Sequence, residues 1–263
     1  MEVVADIGGE PPAQPCPFLL HPSLLVMRFT KPGFQFGLRR PLDVREEIIR
    51  EHAQPCRIAY VSDIHLRRGR SRLLANQVIA AAQRARPAIT LLGGDLVDQA
   101  SELDELGELL TRLLELAPVF AVPGNHDLAV GEARVRQTVV AAGAAWIAGR
   151  TVLVRHGERV ISISGPGAKP APEADVRVLC VHHPRIWKVA RDAGFDLVFA
   201  GHLHGCQGVL FEAGGRLFPG AIFYPHNYLR QAHAGSRLVV SRGCSDLIPV
   251  RWGCPREILL CIL

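Results

Sequence analysis

Three features of the chain predict an α/β fold of two sheets packed face to face with helices outside, a four-layer α/β/β/α sandwich. Residues 56–142 alternate short apolar runs with helical spacings. Residues 151–263 read mainly as strands. Five of the apolar runs end in Asp, Asn or His, and ligand sites in α/β sheets gather beyond the C-terminal ends of strands.

The elements follow in order. Arg57–Val61 is the first strand, running straight into Ser62-Asp63-Ile64-His65. Residues 72–86 have helical spacing and stop at Pro87. The run 88–92 is a second strand and ends in Gly93-Gly94-Asp95. Ser101 is placed to cap a helix over 102–116 that carries acids in its first turn. A third strand over 119–122 leads to Gly124-Asn125-His126-Asp127, and 132–142 is again helical. The runs 151–155 and 159–164 flank His156-Gly157 as a hairpin. Strands over 176–181 and 195–200 feed His182 and Gly201, with a helix over 186–193 between them. The runs 209–212, 238–241 and 257–263 close the sheets.

Residues 1–54 differ from the domain expected over 55–263. They hold Pro11, Pro12, Pro15, Pro17, Pro22, Pro32 and Pro41 and none of the polar motifs. They are expected to form an N-terminal arm, with a strand over 24–29 and a short helix over 44–52. The arm's role stays open between a cover on the core, part of the substrate entrance and a weak peripheral contact with a membrane.

Composition narrows the function classes. The chain has 263 residues, 48% of them hydrophobic and 21% charged, which suits one large globular domain. No run nears the roughly 20 apolar residues that span a bilayer, so no transmembrane segment is expected. The first residues show neither a basic n-region nor a long apolar h-region. The net charge of +5 comes almost wholly from Arg, with Lys only at 31, 169 and 188. No basic run is dense enough to mark nucleic-acid binding, although Arg suits a rim around an anionic substrate. The seven Cys match no zinc spacing, and a reducing, cytoplasmic location is expected. Cys206 lies two residues after His204, but His and carboxylate residues already fill the ligand set.

The motifs supply that set: Asp63-x-His65, Gly94-Asp95-Leu96-Val97-Asp98, Gly124-Asn125-His126-Asp127, His182-His183-Pro184 and Gly201-His202-x-His204. Taken singly, an Asp or His after a strand is a common turn former. Three Asp, an Asn and several His at successive strand ends instead suit two neighbouring divalent cations and point to metal-assisted hydrolysis, above all of a phosphate ester. The choice between His182 and His183 is open at this level.

With these motifs, residues 56–263 resemble the calcineurin-like metallophosphoesterases. Gly201-His202-Leu203-His204-Gly205-Cys206-Gln207, Val239-Val240-Ser241-Arg242-Gly243, Pro249-Val250-Arg251 and Pro255-Arg256-Glu257 resemble its small bacterial YaeI/YkuE-type phosphodiesterase branch. The resemblance implies that Asp63, His65 and His204 hold one metal, that Asn125, His182 and His202 hold the other, and that Asp95 bridges them. It selects His182 as the residue two before Pro184. It also implies two divalent ions among Mn, Fe and Zn, with Mn favoured, and a metal-bridging hydroxide as nucleophile. His126 would serve the leaving group, Asp127 would orient His126, and Asp98 would buttress the Asp95 loop. The chain departs from the branch at Leu203 and Cys206, neither of which supplies a ligand.

The expected activity is hydrolysis of a phosphodiester or pyrophosphate bond. The apolar arm suits an amphiphilic substrate. Two rivals share the scaffold. One is a nuclease or cyclic-nucleotide phosphodiesterase, which needs a basic groove or a nucleoside pocket. The other is a non-enzymatic protein-binding scaffold, which tends to lose ligands that this chain keeps.

Overall fold

The computed structural model describes residues 5–7, 27–30, 33–50 and 52–263. Two mixed sheets form its centre. The first has six strands, in the order Asp43–Ile48, Glu257–Ile262, Arg57–Val61, Ile89–Leu92, Val119–Ala121, Ala145–Trp146. The second has seven, in the order Ala5–Ile7, Thr151–His156, Arg159–Ser164, Val176–Cys180, Leu197–Ala200, Ser236–Val240, Arg230–His233.

The sheets face each other across Ile58, Tyr60, Leu91 and Phe120 on one side and Ile161, Ile163, Val178 and Phe199 on the other. The rings of Tyr60 and Phe199 stack at 5.2 Å through this layer. Being covered on both faces, the central strands are apolar throughout rather than alternating. Helices Ser71–Ala85, Leu103–Leu114 and Glu132–Ala141 cover the outer face of the first sheet with Leu74, Val78, Leu106, Leu110, Val135 and Val139. The fourth layer is thin. The outer face of the second sheet packs Leu179, Val198, Leu238 and Val240 against a six-residue helix, Trp187–Asp192, through Ala190 and Trp187.

Both sheets carry a parallel set: Arg57–Val61, Ile89–Leu92, Val119–Ala121 in one, and Val176–Cys180, Leu197–Ala200, Ser236–Val240 in the other. Their C-terminal ends all open onto one edge of the sandwich. The expected hairpin over 151–164 is present as an antiparallel pair.

Two local expectations are corrected, and a third is met where the structure describes it. The helix expected over 44–52 is instead the strand Asp43–Ile48, paired in parallel with Glu257–Ile262 at the sheet edge. Its charges override the helical preference of Arg45-Glu46-Glu47. Arg45 and Glu47, two residues apart, share one face and reach Glu257 at 3.1 Å and Arg230 at 3.2 Å. Ser101 lies in a turn of 3₁₀ helix and bonds Glu102 without capping the helix, which starts at Leu103. Of the strand expected over 24–29, Arg28–Phe29 pairs with Phe211 and Glu212, and residues 24–26 lie outside the described residues. Phe34–Phe36 adds to Val250–Trp252 as a separate two-stranded ribbon.

Candidate metal centre

Each strand end turns sharply as it delivers its side chain. Asp63, His65, Asp95, His202 and His204 all have positive φ, between 50° and 77°. Left-handed backbone is uncommon outside glycine and costs of order 1 kcal/mol per residue. Five instances in one site mean that the surrounding structure holds them there. Backbone ties do so: Asp63 N–H donates to Gly94 O at 3.0 Å, His65 N–H to Asp95 O at 2.9 Å, and Ser245 N–H to Asp63 O at 3.0 Å. Glycines make room. A Cβ on Gly124 would lie 2.1 Å from Asp95 Oδ1, and one on Gly201 would lie 2.4 Å from Asp63 Oδ2.

The side chains form a first cluster, Asp63–His65–His204, and a second, Asp95–His182–His202, while a third group, His65–Asp98–His126, shares His65 with the first. In the first, His65 Nε2 lies 3.3 Å from His204 Nε2, which lies 3.5 Å from Asp63 Oδ1. In the second, His182 Nε2 lies 3.0 Å from His202 Nδ1, 3.1 Å from Asn125 Oδ1 and 3.2 Å from Asp95 Oδ2. Asp95 Oδ2 is also 3.7 Å from His65 Nε2, so a single oxygen stands between the clusters. Its other oxygen accepts from His126 N–H at 2.8 Å.

The donor chemistry fits cations. His65 Nδ1–H donates to Asp98 Oδ1 at 2.6 Å, His204 Nδ1–H to Ser245 O at 3.0 Å and His182 Nδ1–H to Gly93 O at 2.9 Å. In the neutral imidazoles these outer partners hold the proton on Nδ1 and leave the three Nε2 atoms as lone pairs, the form that binds a cation. The first cluster therefore aims two lone pairs and a carboxylate oxygen at one point with no donor among them. The second brings His182 Nε2, His202 Nδ1, Asp95 Oδ2 and the Asn125 amide oxygen together in the same way. Divalent cations would complete both sets.

The electrostatics agree. Burial opposes ionisation of Asp95, but the hydrogen bond and charge of His182 outweigh it and pull the carboxyl down to about 2. Burial alone would lower His182, yet Asp95 and Asp63 raise it to about 9. That negative surplus attracts cations. Burial, helped by the Arg251 charge, pushes His204 down to about 4 against the pull of Asp63, keeping it neutral as a ligand must be.

The clusters differ in access. Asp63, His65 and His204 are buried, while Asn125 is exposed and His202 half-buried. His126 lies at the rim beside the first cluster, its ring 4.5 Å from that of His65.

Two supporting roles differ from expectation. Asp127 does not touch His126. It is buried, and its carboxylate accepts backbone N–H bonds from Leu96 (2.9 Å), Val97 (3.1 Å) and Gly124 (2.9 Å). Burial raises it to about 6 against those bonds. Asp127 is thus the residue that clamps the Asp95 loop. Asp98, expected to buttress that loop, instead reaches His126 Nδ1 at 2.9 Å as well as His65.

His183 is not among the clustered residues; its Nδ1 accepts from Arg185 N–H at 3.1 Å. Cys206 is also outside both clusters. Sequence reasoning missed the support behind His204. Arg251 is 1% exposed, pairs with Asp246 at 2.6 Å and donates to Ser245 O at 2.6 Å. Arg251 stands in the Pro249-Val250-Arg251 motif that carries the family resemblance, but the motif does not say what its side chain supports.

A fold of this kind with two facing Asp/His/Asn clusters defines a metal-dependent phosphoesterase. Residues 56–206 match the family model for calcineurin-like phosphoesterase, and the chain belongs to that family. It is 28% identical over 250 residues to phosphodiesterase YaeI of Escherichia coli K12, covering 89% of this chain and 90% of that protein. It is 29% identical over 203 residues to an uncharacterized metallophosphoesterase of Aquifex aeolicus, covering 71% and 76%. Among solved structures it is similar to TT1561 of Thermus thermophilus, at 13% identity, a TM-score of 0.46 and coverage of 72% and 90%.

Proposed function

We propose that the chain hydrolyses a phosphodiester or pyrophosphate bond with two divalent cations, Mn favoured over Fe and Zn. The observation that carries this is the place of Asp95 Oδ2, 3.2 Å from His182 Nε2 and 3.7 Å from His65 Nε2. Asp63, His65 and His204 would hold one cation, Asn125, His182 and His202 the second, and Asp95 both. Bound there, the cations would supply Lewis acidity and lower the pKa of coordinated water.

The chain's own groups do the rest. Asp98 orients the His126 ring through Nδ1, and Nε2 is the atom that would serve the departing oxygen. His202 and Asn125 line the open side from which the phosphate approaches. The phosphodiesterase relative supports a diester over a monoester.

An amphiphilic substrate and a peripheral membrane contact belong to the same reading. Phe29, Phe34, Phe36, Leu247, Ile248 and Trp252 support them, all exposed on the small ribbons and the loop after Asp246. No helix among the described residues is long and apolar enough to cross a membrane. The cytoplasmic location is supported by the six cysteines among the described residues, all unpaired and five of them buried.

The test is Mn²⁺-dependent hydrolysis of bis-p-nitrophenyl phosphate beside p-nitrophenyl phosphate, for wild type, Asp95→Asn and His126→Ala. Diester turnover abolished by Asp95→Asn supports the reading. Turnover indifferent to Asp95→Asn, or a folded protein that takes up no metal, overturns it.

A further inference from the structure

A run of rings leads out of the second cluster to the surface. His202 sits 4.9 Å from His182, and on its outer side His183 packs against it at 4.3 Å with a 34° tilt. His226 meets His183 edge-on at 6.4 Å, Tyr228 lies 5.9 Å beyond, and Arg216 covers the Tyr228 ring at 5.6 Å. Neither His183 nor His226 belongs to a metal cluster.

His226 is held out to solvent by a pinned loop. Its neighbour Asn227 is 1% exposed and donates Nδ2–H to Leu217 O at 2.9 Å, while Leu217 N–H donates back to Asn227 O at 2.9 Å. Tyr224, on the same loop, is 55% exposed. A loop that buries its amide and presents its rings is preorganised for contact. The ring run also has a definite place relative to the chemistry. It starts at the second cluster, whereas His126 stands beside the first. With His126 serving the departing side, as proposed above, the retained side of the ester would run toward His183.

We propose that His183 and His226 form a stacking subsite for a planar aromatic ring on the retained group of the phosphate ester, a nucleobase being the class that fits. Stacking on such rings is worth about 1–3 kcal/mol per base and tolerates many bases, because every base has a π-face. Arg216 supplies a cation at the outer end of the run. The proposal rests on the hydrolase reading for its catalytic readout and on ring contacts alone for its binding readout.

The experiment holds the leaving group constant and changes the retained group. Thymidine 5′-(p-nitrophenyl phosphate) and methyl p-nitrophenyl phosphate both release nitrophenolate. With Mn²⁺-loaded wild type, kcat/KM is expected to favour the thymidine ester by about tenfold or more, through KM. His226→Ala and His183→Asn should collapse that preference toward one. Asn at 183 keeps an acceptor for Arg185 N–H, and His226→Phe, which keeps a ring, should restore most of the preference. Equal kcat/KM for both esters in wild type, or a preference unmoved by the ring-removing variants, overturns the subsite.

If neither ester is hydrolysed, the hydrolase reading fails by itself, and calorimetry with thymidine 5′-monophosphate and the metal-loaded protein decides the subsite. Weakening of about tenfold in His226→Ala, recovered in His226→Phe, supports it. Equal affinity in all three proteins, or no binding by wild type, overturns it.

Discussion

Asp98 and His126 are joined at 2.9 Å between Oδ1 and Nδ1, and the same oxygen takes the Nδ1–H of His65 at 2.6 Å. One carboxylate therefore orients both a ligand of the buried cluster and the imidazole at the rim. Asp98 is held below the ordinary carboxylate range: burial opposes this, and the hydrogen bond and charge of His65 outweigh it.

Asp98→Asn should act on chemistry and metal binding together. An amide offers a weaker acceptor to two imidazoles, and losing such an outer partner typically costs about 10–100-fold in affinity or activity. Turnover of bis-p-nitrophenyl phosphate at saturating Mn²⁺ is expected to fall by that range, with a urea midpoint close to wild type. Wild-type kcat in a fully metal-loaded variant would show that Asp98 orients nothing of consequence.

Asp127→Ala should act on stability instead. It leaves three buried backbone N–H groups without an acceptor, at about 1–3 kcal/mol each before water enters the gap. A loss of about 3 kcal/mol is expected in urea unfolding. An unchanged midpoint would mean that the Asp95 loop is held by something else.

Gly201→Ala should empty the buried cluster before it unfolds the domain. The added methyl would lie 2.4 Å from Asp63 Oδ2 and 2.5 Å from Ser62 Oγ, both in the core, so Asp63 must shift. Metal analysis after dialysis is expected to find the bound equivalents reduced by about half. Two retained ions at wild-type affinity would contradict the close packing at Gly201.

Glu257 predicts a pH dependence. It is buried, and Arg242 Nε donates to it at 2.8 Å and Arg45 Nε at 3.1 Å. Burial pushes its carboxyl up, but Arg242 and then Arg45 outweigh that and bring it below the ordinary 4.5. A depressed carboxyl contributes stability above its unfolded pKa and loses it as pH falls through the folded value. Glu257→Gln, which leaves the buried Arg242 without its carboxylate and Arg45 with Glu47 alone, should cost about 3–5 kcal/mol near pH 7. The gap to wild type should narrow once pH drops below about 4. Urea midpoints of both proteins across that range check it, and a gap that widens toward acid would reverse the sign.

Much of the centre was legible in the chain because the signal is local. An apolar run followed by Asp63, Asp95, Asn125, His182 or His202 is a strand end bearing a metal-type side chain. The parallel sets then bring those ends to one edge. The hairpin at 156–157 and the central strands were readable for the same reason. The strand Asp43–Ile48 was not, because its charged stretch is stabilised by Glu257 and Arg230, about two hundred residues away.

By itself, then, the sequence determined the alternating elements, the two packed sheets and the residue types that converge where strands end. Side-chain period and strand-end chemistry are properties of neighbouring residues. Only the tertiary structure decided which carboxylate serves which partner. Asp98 rather than Asp127 reaches His126, Asp127 closes three backbone N–H groups, and Arg251 backs His204 through Ser245 O. Those assignments depend on left-handed turns at Asp63, His65, Asp95, His202 and His204. Each turn is held by hydrogen bonds from residues distant in the chain, and a one-residue change of turn would point the same side chain elsewhere.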